Sequence, residues 1–228
     1  LEECPVIATS LNPEKRNTNK IAPDGFVKSV GGAVLRESYL LRRFQELSSM
    51  PPKRYRVKVS ALFRDFIKEV LENRAGIRLE RERYVQGAVF RHRADLCDGK
   101  TGGHLLYVEC KVIFTANRVG PDHDKRMYQI AHASVDLRLD PKKTWKDNKM
   151  VPPFTAFALA IPSTTPLRDR IHVEDDMKNL LDYYLNACCL YIFDLNRKVR
   201  RDDLLRYEEL TLDSFVKTIS DLLKRPLP

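Results

Sequence analysis

Residues 93–114 read RADLCDGKTGGHLLYVECKVIF, and this stretch decides the fold of the chain. Its second half alternates in character from one residue to the next, as a β-strand does when one face packs on a core. The apolar face of that strand consists of Leu106, Val108, Cys110, Val112 and Phe114. Glu109 and Lys111 lie on the opposite face. Residues 98–103 are rich in turn formers, which predicts a hairpin to a preceding strand that contains Asp95.

The predicted hairpin brings three chemically useful side chains together. A charged group in a largely apolar strand needs a partner, and the hairpin sets Asp95 beside Glu109 and Lys111. Two carboxylates suit a hard divalent cation such as Mg²⁺. A nearby ammonium can orient or activate water, or stabilise negative charge on a phosphate. The alternative interpretation is a surface hairpin in which Glu109 and Lys111 form an ordinary ion pair.

The pattern Asp95-x₁₃-Glu109-x-Lys111 resembles the PD-(D/E)XK nuclease superfamily, over roughly residues 57–162. Ala94 stands where the family name has proline. The resemblance implies that Asp95, Glu109 and the backbone carbonyl of Cys110 bind Mg²⁺, with Mn²⁺ as a substitute. It also implies that Lys111 positions or deprotonates the attacking water, and that the cut leaves a 5′-phosphate.

The resemblance further implies one more acid from the helix that precedes the strands, which the sequence predicts over residues 61–74 with Ser60 as its N-cap. Asp65, Glu69 and Glu72 are the candidates. We select Glu69 because it projects closest to the apolar face of the helix, although spacing back from Gly76 favours Asp65. An ordinary solvated acidic face is the alternative for each of them.

The fold prediction is α/β: a central mixed β-sheet of about five strands flanked by helices, with a restriction-endonuclease-like core. The predicted strands are 77–84, 87–97, 104–114, 154–161 and 190–195. The later helices are predicted over 121–138, 173–189 and 214–224, and residues 141–152 as a polar loop. We predict an N-terminal arm and helix over residues 1–56 and a nuclease core with C-terminal helices over residues 57–228.

The charge of the chain favours a polyanionic partner. The formal net charge is +9, and with a metal-type motif this predicts DNA as the partner, with RNA left open. The predicted nucleic-acid-binding residues are Arg91, Arg93, Lys125, Lys53, Arg54 and Trp145. Trp145 can stack on a base, or equally pin its loop onto the body. A solvated basic surface is the alternative. A nuclease that cuts both strands also predicts a homodimer, since two strands need two sites.

Several other classes lack sequence support. The chain has neither a run of about 18 apolar residues nor a Gly-rich nucleotide-binding motif. Its five cysteines form no CxxC pair, so we predict no zinc and an intracellular protein, cytoplasmic or nuclear. The leading hypothesis is a Mg²⁺-dependent DNA endonuclease, such as a type II restriction endonuclease. A transposon, repair or junction-resolving nuclease, a catalytically silent nucleic-acid-binding domain and a plain interaction domain are the alternatives.

Overall fold

The computed structural model describes residues 39–40, 42–44, 46, 52–98, 106–139, 144–146, 149–151, 153–193 and 205–224. For residues 52–56, 117, 121, 144–146 and 149–151 only the backbone is described. The helices named here are α1 (Pro52–Arg74), α2 (Val119–Leu139), α3 (Leu167–Tyr183) and α4 (Leu212–Lys224). The strands are β1 (Leu79–Gln86), β2 (Arg91–Asp98), β3 (Leu106–Val112), β4 (Thr144–Lys146), β5 (Lys149–Val151), β6 (Phe154–Pro162) and β7 (Ala187–Phe193).

Within the described residues, five strands form one mixed sheet in the order β1-β2-β3-β6-β7. The first three strands pair antiparallel, whereas β3, β6 and β7 are parallel. Parallel neighbours need a long connection, and α2 and α3 lie in the two connections concerned. The predicted α/β class, with about five strands flanked by helices, is confirmed.

Helices cover both faces of the sheet and create two hydrophobic cores. On one face, Phe63 and Ile67 of α1 and Phe215 of α4 pack on Val108 and Ala158. The core on the other face includes Ile130 of α2 and Met177 of α3, with Phe157 and Leu190 of the sheet. The strands β6 and β7 are buried between these layers, as continuous apolar sequence predicts. No helix in the described ranges is long and apolar enough to cross a bilayer.

The first long helix begins earlier than predicted. α1 starts at Pro52 rather than after a cap at Ser60, because proline is tolerated in the first helical turn and its fixed φ suits a helix start. The basic stretch 53–58 is therefore helical. The domain boundary predicted between residues 56 and 57 falls inside this helix.

Two further boundaries differ from the predictions. The helix predicted over 173–189 is α3, which starts directly after Pro166 and ends at Tyr183. It stops because Asn186 hydrogen-bonds the backbone of Thr155 and so begins β7 beside β6. The polar loop predicted over 141–152 contains β4 and β5, which pair with each other. β1 and β2 match the predicted strands to within a few residues.

Candidate active site

The candidate site lies where β2 and β3 separate. The two strands pair at Cys97–Tyr107 and Leu96–Val108, and one further step in the same register leads to Asp95 and Glu109. The ladder stops before that step. Asp95 Oδ2 instead accepts a hydrogen bond from the backbone N–H of Cys110 at 2.9 Å. The carboxylate therefore replaces a backbone partner, and its position is fixed by the sheet.

Lys111 joins the two carboxylates. Its Nζ lies 3.1 Å from Asp95 Oδ2 and also forms an ion pair with Glu109 Oε1. The three side chains are only 18–26% exposed, so water screens the interaction incompletely. The hydroxyl of Tyr107 lies 3.5 Å from the other Glu109 oxygen. The group contains two acids and one base, which leaves a deficit of positive charge.

This charge deficit appears in the protonation equilibria. Burial, followed by repulsion from Asp95, raises the pKa of Glu109 to about 7, although Lys111 acts in the opposite direction. Burial alone would lower the pKa of Lys111, but the Glu109 and Asp95 carboxylates outweigh it and the pKa is raised. At neutral pH, Lys111 is therefore charged, while Glu109 is easily protonated unless further positive charge arrives.

The donor atoms fit a hard divalent cation. Asp95 and Glu109 supply carboxylate oxygens, the ligands that Mg²⁺ takes in proteins. The N–H and C=O of a strand residue point to the same edge of the strand. The carbonyl of Cys110 therefore faces Asp95, as its N–H does. The thiol of Cys110 lies in the core with Leu106 and Val108, so only its backbone is available to the site.

Two clefts meet at Lys111. The α2-side cleft has a volume of about 480 Å³ and contains Glu109 and Lys111. Its other polar lining comes from Arg91, His92, Arg93, Arg126, Tyr128, Gln129 and His132. The α1-side cleft has a volume of about 340 Å³ and contains Asp95, Cys110 and Lys111, with Ser60, Arg64 and Glu82. A ligand in either cleft can therefore reach the acid–lysine group.

The predicted nucleic-acid-binding residues divide into three groups. Arg91 and Arg93 line the α2-side cleft beside the acids. Lys125 is an exposed residue of α2 that lines neither cleft, and Arg126 takes that place. The side chains of Lys53 and Arg54 in α1, and of Trp145 in β4, lie outside the described part of the chain. For all six residues nucleic-acid binding stays a prediction.

The helix acid selected from the sequence is not brought to the clefts. α1 contributes Val57, Ser60, Ala61 and Arg64 to the α1-side cleft, and Glu69 lines neither cleft. The two other candidates have structural partners, which are Arg81 for Asp65 and the backbone N–H of Leu79 for Glu72. A catalytic role for Glu69 stays a prediction.

Sequence reasoning missed Glu82, which lies in β1 at the register position opposite Asp95. Glu82 has a φ of 55°, an unfavourable conformation for a residue with a side chain. Its carboxylate pairs with Arg64 at 2.6 Å and also with Arg93, and hydrogen bonds from these two arginines lower its pKa. Every residue from 80 to 83 is charged, so the pattern gave no reason to single it out.

A buried clamp fixes the wall of the α2-side cleft. Asp136 of α2 accepts hydrogen bonds from the backbone N–H groups of Val89 and Phe90, at 2.8 and 3.0 Å, and lies 2.7 Å from His92 Nε2. Although burial opposes it, the hydrogen bonds from His92 and the two N–H groups lower the pKa of Asp136. A Cβ on Gly87 would overlap the Asp136 carboxylate. The clamp therefore needs glycine in this turn.

A second group of metal-type ligands lies between α2 and α3, and the sequence analysis did not find it. His123 and Asp124 belong to α2, while His172 and Asp176 belong to α3. One ligand atom from each residue lies within 4.8 Å of all the others, so this cluster could hold a metal ion. The signal was spread over two distant helices, which is why no local pattern showed it.

No protein-family model, curated protein or solved structure matches this chain. The chemistry of both groups of residues must therefore be argued from their own geometry.

Proposed function

We propose that this protein is a Mg²⁺-dependent endonuclease that hydrolyses phosphodiester bonds in DNA. The observation that carries the proposal is the meeting of Asp95, Glu109 and Lys111 where two strands separate, with Lys111 in contact with both acids. A purely structural ion pair would balance its charges, whereas this group keeps two acids for one base. Its negative charge and oxygen donors suit a divalent cation.

Each residue has a distinct role in this proposal. Asp95, Glu109 and the Cys110 carbonyl would hold the cation. A bound Mg²⁺ would polarise the scissile phosphate and stabilise charge on the leaving oxygen. The raised pKa of Lys111 keeps its ammonium protonated at neutral pH. Lys111 would then orient or activate the attacking water and stabilise charge on the phosphate.

The surroundings of the site support a phosphate-bearing substrate. Arg91, Arg93 and Arg126 line the same cleft as Glu109 and Lys111, and guanidinium groups bind phosphate oxygens well. The formal net charge of +9 adds a long-range attraction for DNA. Ser60 and Arg64, the latter paired with Glu82, line the α1-side cleft. DNA is thus the first substrate to test, and RNA the second.

Cleavage of supercoiled plasmid tests the proposal directly. The wild type is incubated with Mg²⁺, with Mn²⁺ or with EDTA, beside Lys111→Ala and the control Lys178→Ala. Lys178 is a lysine of α3 that pairs with Asp182 and lines neither cleft. We expect nicked or linear product that needs the metal, disappears in Lys111→Ala and persists in Lys178→Ala. Linear product from the first turnovers would favour the homodimer.

Three other outcomes of this experiment would contradict the proposed function. If plasmid and single-stranded RNA stay intact in every lane while a gel shift persists, the domain binds nucleic acid without cutting it. Cleavage that survives in Lys111→Ala would instead show that the hydrolytic activity belongs to other residues or to a contaminant. Absence of both cleavage and salt-sensitive binding would leave an interaction domain.

A further inference from the structure

The second cluster combines two imidazoles and two carboxylates across a helix–helix contact. His123 Nε2 lies 2.8 Å from Asp176 Oδ2, and His172 Nε2 lies 3.6 Å from the same oxygen. Asp124 Oδ1 lies 3.7 Å from His172 Nε2. The two imidazole rings are perpendicular, with centroids 4.9 Å apart. One donor atom from each of the four residues lies within 4.8 Å of the other three, between α2 and α3.

The hydrogen bonds of His123 are incomplete without a further positive centre. Its side chain is fully buried, and both ring nitrogens face oxygen atoms. Nδ1 lies 2.9 Å from the Gly120 carbonyl and 3.2 Å from Asp124 Oδ1, and Nε2 lies 2.8 Å from Asp176 Oδ2. A neutral imidazole has a single N–H, so it can satisfy only one of these acceptors. The other contact needs either a second proton or a cation.

The hydrogen bond of His123 Nδ1 favours a metal cation at Nε2. An N–H at Nδ1 that donates to the Gly120 carbonyl leaves the Nε2 lone pair directed at the cluster. Histidine ligands of metals commonly have such a backbone or carboxylate partner, which fixes the tautomer and the ring orientation. A divalent metal with two carboxylates and two neutral imidazoles is also electrically neutral.

The donor set and its dimensions fit Zn²⁺. Tetrahedral zinc with ligand bonds of about 2.0–2.1 Å separates its ligand atoms by about 3.4 Å. The three Nε2–oxygen pairs given above range from 2.8 to 3.7 Å, and all four ligand atoms lie within 4.8 Å of one another. Mixed nitrogen and oxygen donors suit zinc better than Mg²⁺. The lack of a CxxC pair disfavours only cysteine-based zinc sites, and this cluster contains no cysteine.

We propose that His123, Asp124, His172 and Asp176 form a structural Zn²⁺ site that fastens α2 to α3. Because α2 also carries Arg126 and His132, the bound metal holds one wall of the α2-side cleft in place. Metal can enter from solvent, since His172 is 57% exposed and Asp124 66% exposed. The proposal stands independently of the nuclease assignment, because it concerns other residues and another metal.

Calorimetric titration of Zn²⁺ into EDTA-stripped, dialysed protein tests the site. We expect one tight site in the wild type and a rise in melting temperature on binding. His172→Ala and Asp124→Asn, both at exposed positions, should each weaken Zn²⁺ binding about 100-fold or more, beyond the loss typical of outer partners. Co²⁺ in the same site should give the intense visible absorption of tetrahedral coordination.

Matched controls come from the same helix. Asp122→Asn alters the acid next to His123, and His132→Ala removes an exposed histidine of α2. Both should bind Zn²⁺ as the wild type does, as should Asp95→Asn. The proposal is overturned if the wild type has no tight site, or if binding survives in His172→Ala and is lost in Asp95→Asn. A metal-independent cluster that responds only to acid would identify a buried imidazolium instead. None of these readouts needs nuclease activity.

Discussion

The Asp95–Glu109–Lys111 group and the His123–Asp124–His172–Asp176 cluster are built in opposite ways. The first is made by strands, and its residues lie within 16 positions of one another along the chain. The second is made by two helices, and it joins His123 to a residue 53 positions later. The first, called here the strand group, has oxygen donors and an ammonium of its own. The second, called here the helix cluster, has nitrogen as well as oxygen donors.

The two sites differ in what fixes the positions of their ligand atoms. In the strand group, the backbone itself sets the geometry, because Asp95 is fixed by the N–H of Cys110. A site of this kind can exchange metal, water and substrate without movement of the strands that position its side chains. In the helix cluster, the geometry depends on how α2 and α3 pack, so a bound metal would stabilise that packing. We therefore expect chemistry at the first group and stability from the second.

The largest expected effect is a loss of DNA cleavage in Asp95→Asn without a loss of Zn²⁺ binding. Asp95→Asn keeps the shape of the side chain but removes its charge, so we expect the plasmid cleavage rate to fall by about 100-fold or more. Its Zn²⁺ affinity should stay at the wild-type value. Asp122→Asn, an exposed acid of α2, is the control for cleavage. Loss of Zn²⁺ binding in Asp95→Asn would mean that the two groups are not independent.

The second prediction concerns Gly87 in the β1–β2 turn and Gly120 near the start of α2. In Gly87→Ala the new Cβ overlaps the Asp136 carboxylate, so the β1–β2 turn or α2 must shift. We expect the free energy of unfolding in urea to fall by about 1–3 kcal/mol. Gly120→Ala is the matched control, because its Cβ would meet no atom within 4 Å. Equal losses in both variants would show that overlap with Asp136 is not the cause.

The third prediction uses pH. The pKa of Glu109 rises from 4.5 when unfolded to about 7 when folded, so the folded protein binds that proton more tightly. Its contribution to stability is therefore present at low pH and is lost as the pH rises between these values, by at most about 1.4 kcal/mol per unit. Urea unfolding of metal-free wild type against Glu109→Gln isolates it. A constant difference between the two proteins across this range would contradict the prediction.

The smallest expected effect concerns DNA binding alone. Arg91 lies in the α2-side cleft with its guanidinium 4.4 Å from the ring centre of Tyr84. We expect Arg91→Ala to weaken binding a few-fold and to reduce the slope of log affinity against log salt by about 0.9, the value for one phosphate contact. Arg168→Ala, at an exposed position of α3, is the control. Anisotropy at several salt concentrations measures both, and identical slopes would place DNA elsewhere.

The strand group was predictable because its information is local. Alternation placed Glu109 and Lys111 on one face, and the turn-rich residues 98–103 implied the hairpin that brings Asp95 to them. The helix contribution was not predictable. α1 begins eight residues before the expected cap, and the turn that faces Asp95 depends on how the whole helix docks. The contacts of His123 depend in the same way on the packing of α2 against α3, which no local periodicity encodes.

The strained residue of β1 also bears on how copies of this protein can meet. β1 is the outer strand of the described sheet, and the backbone at Glu82 interrupts its regular course. Its residues 80–83 alternate acid and arginine. An irregular, charged outer strand is a poor template for a strand from another molecule. This edge therefore protects the protein from growing into a continuous intermolecular sheet, and a homodimer would have to form through other surfaces.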